Sequence, residues 1–145
     1  MIIQQLSLFI ENRAGQLRAP VKVLADAGIN IRTLALADTE QFGIMRLIVD
    51  DPERARRLLE AAGCVVKVTE VIALEVPDHP GGLDGVLAAV EDAGLNIEYM
   101  YAFTFGRADR AVLVFRFDDA EAAISRLRER GVNVVDSLAQ LDRSV

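Results

Sequence analysis

The chain repeats itself. Gly15-Gln16-Leu17 aligns with Gly81-Gly82-Leu83, and Asp26-Ala27-Gly28-Ile29-Asn30-Ile31 aligns with Asp92-Ala93-Gly94-Leu95-Asn96-Ile97, both at an offset of 66 (81 − 15 and 92 − 26). A slightly longer loop in the second copy raises the offset to 68, where Asp50 meets Asp118 and Gly63 meets Gly131. A duplication constrains the fold strongly, because every local pattern must serve the same element in both copies.

Each copy reads as one order of elements. In the first, residues 4–10 alternate Leu6, Leu8 and Ile10 against Ser7 and Phe9, the period of a half-buried strand. After the polar turn ENRAGQ, Leu17, Val21 and Leu24 recur at helical spacing, with Pro20 tolerated in the first turn and Gly28 closing the helix. Residues 31–37 and 44–49 read as strands joined at TEQFG. Asp51-Pro52-Glu53 then supplies an N-cap, a first-turn proline and an acidic first turn for a helix running to Gly63, and residues 65–70 form a fourth strand. The second copy repeats this with a strand around Ile72, Leu74 and Val76, the loop PDHPGG, a helix carrying Leu83, Val86, Leu87 and Val90, strands over 97–105 and 111–117, a helix over 119–130 and a last strand over 132–138.

The expected fold class is therefore α+β: two ferredoxin-like βαββαβ units in tandem, residues 1–70 and 71–145, each an antiparallel sheet with helices on one face. VVKVTEVIALEV, residues 65–76, contains no turn former, so the fourth strand of copy one is expected to run directly into the first strand of copy two. Such a stiff junction should hold the sheets in one fixed relation, about a pseudo-two-fold axis.

Composition narrows the function. With 145 residues, 52% of them hydrophobic, the chain can bury a core. Its net charge of −6 offers no field for a phosphate backbone, so no nucleic-acid partner is expected; the missing RNP1 pattern argues the same way against an RNA-recognition module of this topology. Residues 1–71 carry nine acids and nine bases, whereas 72–145 carry thirteen and seven, so the acidic excess lies in copy two and reads as solvated surface. One cysteine, Cys64, excludes an intramolecular disulfide and a cysteine-based zinc site, and fits a reducing cytoplasm. No apolar run approaches the roughly 20 residues of a membrane span, and no membrane association is expected.

The repeated cluster of a strand, ENRAGQL, a helix ending in DAGINI and two strands resembles the ACT domain, and PDHPGGL followed by EDAGLNI resembles it again. Together they span about residues 4–141. Runs such as ADTEQFGIMRLIVDD and IEYMYAF are similar to those of stand-alone tandem ACT proteins. Copy one departs in having Ala14 where a proline often precedes the glycine; copy two has Pro80-Gly81. The resemblance implies a regulatory module that binds an amino acid where two such units meet; no cofactor is expected.

The residues carry a parallel reading. Gly15 and Gly81 each precede a helix, where free backbone N–H groups and the positive helix end favour a carboxylate. Asn12 and Asp78 could accept from an α-ammonium group, and Asn30 and Asn96 begin the second strand of each copy. The expected ligand-binding set is accordingly Asn12, Arg13, Ala14, Gly15, Gln16, Leu17, Asn30 and Ile31 from copy one, with Asp78, His79, Pro80, Gly81, Gly82, Leu83, Asn96, Ile97 and Tyr99 from copy two. A glycine before a helix is also ordinary turn chemistry; its recurrence in both copies favours the site.

Other features stay open. Asp38 and Arg46 are read either as a cross-strand ion pair or as site residues. Tyr99, Tyr101, Phe103 and Phe105 share one strand face; facing a ligand they favour an aromatic or histidine side chain, and as core they favour nothing. His79 is the only histidine and has no partner for a metal set, Cys64 has no recognisable base, and GxSxG, P-loop and GxGxxG motifs are absent, so no catalytic or metal site is expected. The leading reading is a free amino acid sensor, with a homodimer favoured by open sheet edges. The alternatives are a detached regulatory subunit contacting a metabolic enzyme of amino-acid biosynthesis, and a small enzyme on the same scaffold such as an acyl-phosphate hydrolase. Either one composite site or two fits.

Overall fold

A computed structural model describes residues 1–38, 41–104, 106 and 109–137. Thr39 and Glu40 of the expected hairpin, Phe105 of the aromatic run, and Leu138 with the rest of the C-terminal segment lie outside the described residues.

The order is β1 (Ile3–Glu11), α1 (Arg18–Asp26), β2 (Ile31–Asp38), β3 (Phe42–Val49), α2 (Pro52–Ala61), β4 (Val66–Pro77), α3 (Gly82–Asp92), β5 (Ile97–Ala102), β6 (Arg110–Phe117), α4 (Ala120–Glu129) and β7 (Asn133–Val134). This is βαββαβ twice, with β4 serving as both the last strand of one copy and the first of the next. That continuity follows from a run of residues with no turn former and strong β propensity. The chain divides into two compact units, a first of residues 4–69 and a second of residues 1–3 with 70–145.

In the first unit β3 pairs antiparallel with β1 on one side and β2 on the other. Leu6 and Leu8 of β1 and Met45, Leu47 and Val49 of β3 face Leu24 of α1 and Ala55 and Leu59 of α2, so both helices cover one face. In the second unit β6 pairs with β4 and β5, and β7 pairs with β4. Ile72, Leu74, Val76, Phe115 and Phe117 there pack on Val86 and Val90 of α3 and Ala123 and Leu127 of α4. The Phe115 and Phe117 rings stack with centroids 5.8 Å apart.

The duplication extends to register. Ile10 opposes Gly43 as Val76 opposes Ala111, and the same irregularity falls between Ile31 and Thr33 as between Ile97 and Tyr99. The helix ends are built from the expected residues. Asp51 accepts from the Arg54 N–H at 3.2 Å and Asp119 from the Ala122 N–H at 3.1 Å, while Gly28 and Gly94 close α1 and α3.

Three expectations change. The last strand, expected over 132–138, is only two residues long. Val134 and Val135 are buried in succession, which breaks the alternation a longer strand would need. The strand expected over 97–105 ends at Ala102, one hydrogen bond short of Phe103, whose N–H still reaches the Val112 carbonyl. Asp38 and Arg46 are not cross-strand partners: Arg46 opposes Ala35 and Asp38 opposes Gly43, an odd separation that sends their side chains to opposite faces.

Candidate functional site

The two glycine loops lie at equivalent places. Each leaves the end of a central strand and is tied to the neighbouring hairpin by one backbone bond, Asn12 N–H to the Gln41 carbonyl at 3.0 Å and Asp78 N–H to the Asp109 carbonyl at 2.8 Å. Gly15 and Gly81 have φ of 85° and 89°, the left-handed region that costs a side chain about 1 kcal/mol or more. This is why a glycine stands at this point in both copies. Gly82 has a second reason to be glycine, since a Cβ there would lie 1.9 Å from the Pro77 carbonyl oxygen.

Each loop borders a cavity. In the first unit Asn12, Arg13 and Leu17 share a space of about 190 Å³ with Ile10, Glu11, Leu36, Asp38 and Gly43. Asp38 lines this cavity and Arg46 does not. Gly43 leaves the floor open, because a Cβ would come within 3.3 Å of Leu36 Cδ1. Arg13 pairs with Glu11 at 2.9 Å, in the open, where such a pair contributes little. Ala14, Gly15 and Gln16 form the turn itself, closed by the Gln16 N–H on the Arg13 carbonyl.

In the second unit His79, Gly81 and Gly82 line a space of about 390 Å³. Gly82, Gly85, Val86 and Ala89 present one side of α3 to it, at the i, i+3, i+4, i+7 spacing of a single helix face. Glu75, Arg110, Arg130 and Asn133 form polar walls. Arg110 Nη1 donates to Glu75 Oε2 at 2.9 Å and Asn133 Nδ2 donates to the same oxygen at 2.9 Å. Arg130 is held by Asp92, at 2.7 Å from Nε, and by the Arg126 carbonyl. His79 Nδ1 lies 3.0 Å from the Pro80 carbonyl oxygen, in an exposed contact.

Not every expected residue joins these cavities. Asp78 and Pro80 belong to the loop and Leu83 to the first turn of α3, but none of the three lines the cavity. Asn30 and Ile31 border a different pocket, with Val21, Ala25, Gly28 and Ile29. They begin β2, whereas the loop meets its far end, roughly 25 Å away at about 3.3 Å per residue. Asn96 and Ile97 stand at the corresponding far end of β5, with Ile97 against the core. Tyr99 opposes Arg116, and Phe103 is buried, which makes part of the aromatic run core. Glu75, Arg110 and Asn133 were not singled out from sequence. The available signal was Glu75, a lone charge within VIALEV, and the repeat offset that links the three to apolar residues in copy one.

Burial pushes the Cys64 thiol above its ordinary value, which keeps it protonated and disfavours a nucleophilic role. Among the described residues, no group of three His, Cys, Asp or Glu side chains could hold a metal ion, and no helix is long and apolar enough to cross a membrane.

The chain is similar to protein BT0572 from Bacteroides thetaiotaomicron, at 36% identity over 93% of this chain and 92% of that one, with a TM-score of 0.86. It is also similar in fold to the regulatory subunit of aspartate kinase from Thermus thermophilus, at 20% identity over 87% and 91% of the two chains with a TM-score of 0.64. The Thermus flavus subunit aligns at 18% identity over 89% and 94%, with a TM-score of 0.59. No curated protein matches the chain. A family model described as an ACT domain pair matches residues 1–141, and with the doubled fold and paired glycine loops in place, the chain belongs to the ACT domain pair family.

Proposed function

We propose that this protein is a regulatory sensor that binds a free amino acid against its glycine loops and has no catalytic activity of its own. The observation that carries the reading is that both loops, singled out by the repeat, open onto cavities with charged and apolar walls. The likeness in fold to subunits named as regulatory supports a regulatory role for this pair of units. Binding regulates only if the ligand favours one state of the protein over another, so the bound form must differ in what it offers a partner.

The exposed edge strand β2, with Leu34 and Leu36 uncovered, supports a homodimer. Antiparallel pairing of two β2 edges is also the arrangement that would carry Asn30 of one chain toward the glycine loop of another. The same uncovered edge favours the second reading, a detached subunit that works mainly by contact with an amino-acid biosynthetic enzyme.

Thermal denaturation in the presence of each of the twenty amino acids separates the readings, because a ligand that binds only the native state raises its apparent stability. Stabilisation by one or a few supports the sensor. Absence of any shift, with co-purification of an enzyme, favours the subunit.

A further inference from the structure

The two copies differ sharply at one equivalent place. Glu75, Arg110 and Asn133 of the second unit correspond, at offsets of 66, 68 and 68, to Phe9, Phe42 and Val65 of the first (75 − 9, 110 − 42, 133 − 65). The neighbourhood is conserved in backbone: Phe9 donates its N–H to the Val65 carbonyl, and Glu75 opposes Asn133 in the β4–β7 pairing. The chemistry is inverted. Phe9, Phe42 and Val65 are 51%, 50% and 65% exposed, whereas the Glu75 side chain is only 12% exposed although it carries a charge.

A nearly buried carboxylate needs several donors, and Glu75 is incompletely served. Both of its hydrogen bonds fall on Oε2, leaving Oε1 without a donor among the described residues at the wall of the 390 Å³ cavity. Among the described residues Arg110 spends only Nη1 on this pair, which leaves Nε and Nη2 for an acceptor, and its side chain is half exposed. A carboxylate with one free oxygen beside a guanidinium with free N–H groups is complementary to a zwitterion. Gly82, Gly85, Val86 and Ala89 of α3 border the same cavity, and the two glycines leave part of its lining without side chains.

We infer that the second unit alone reads the charged head of an amino acid, Glu75 Oε1 accepting from the α-ammonium and Arg110 donating to the α-carboxylate, giving one zwitterion site per chain. The inference rests on the amino-acid-binding reading above and narrows it to residues. In the first unit the same position offers Phe9, Phe42 and Val65, whose side chains have no polar group to pair with either charge.

Isothermal titration calorimetry tests this with each of the twenty amino acids, then with the des-amino and decarboxylated analogues of the tightest binder. The expected results are one site per chain, loss of binding by about 10- to 100-fold on removing either charge from the ligand, and a similar loss in Glu75→Gln. Arg57→Gln and Lys67→Gln, at exposed positions outside both cavities, should leave affinity unchanged. Two equal sites per chain, full affinity in Glu75→Gln, or analogues that bind as well as the amino acid would each overturn the assignment while leaving the sensor reading intact. If Glu75→Gln does not fold, the analogue series on the unaltered protein still decides. Heats of zero for all twenty amino acids would instead remove the sensor reading and this inference with it.

Discussion

Three glycines near the start of α3 should respond to alanine in three different ways, and the differences come from the geometry around each. At Gly82 an added Cβ would lie 1.9 Å from the Pro77 carbonyl oxygen and 2.9 Å from its carbon. Both atoms are backbone, so no rotamer change relieves the clash; the loop or the helix start must move. Overpacking of this kind costs typically 1–3 kcal/mol, and the immobile neighbour puts Gly82→Ala at or above about 2 kcal/mol. At Gly81 there is nothing within 4 Å, but the φ of 89° is unfavourable for alanine by about 1 kcal/mol. At Gly85 there is again nothing within 4 Å and the residue is helical, so Gly85→Ala should stabilise by about 0.8 kcal/mol through helix propensity. For a chain of this size 1 kcal/mol corresponds to about 2–4 °C in Tm. Circular dichroism melts should therefore place Gly82→Ala lowest by about 4 °C or more, Gly81→Ala slightly below the unaltered protein, and Gly85→Ala above it. If Gly82→Ala melts with the unaltered protein, the close approach to Pro77 does not constrain the loop and the reasoning fails.

Asp51→Ala and Asp119→Ala each remove a side-chain cap and should each cost about 1 kcal/mol in urea denaturation, additively because they belong to different units. Leu59→Ala, at a fully buried position on α2, should cost about 2–5 kcal/mol in the same assay. Leu36→Lys on the open β2 edge should shift a dimer to monomer in sedimentation velocity, and an unchanged sedimentation coefficient would place any dimer contact elsewhere. Because burial raises the Cys64 pKa, the folded state binds the thiol proton more tightly than the unfolded one. Cys64 therefore withdraws stability as pH rises above its ordinary value, and Cys64→Ala should flatten the alkaline end of a stability-versus-pH profile.

The duplication made most of the architecture legible, because a pattern that is ambiguous once becomes informative when it recurs at a fixed offset. Val66–Pro77 could be read as one strand because no residue in it favours a turn. The loops were legible too, since a left-handed glycine before a helix has few substitutes. What sequence alone did not give were relations that depend on register. Arg46 and Asp38 flank a hairpin whose pairing decides whether they share a face, and pairing Gly43 with Asp38 puts Arg46 beside Ala35. Asn30 follows its loop closely in sequence, yet helix α1 returns the chain to the opposite end of the sheet. Glu75, Arg110 and Asn133 are distant in sequence and meet only because β4 pairs with β6 on one side and β7 on the other.

Backbone amide shifts in a ¹⁵N-correlated spectrum, followed during titration with the amino acid that most raises the melting temperature, test the claim that the glycine loops bind the ligand. The account predicts saturable changes concentrated at residues 78–85, with Glu75 and Arg110 among the responders. Changes that map away from both glycine loops, or a spectrum unmoved by every one of the twenty amino acids, would contradict it.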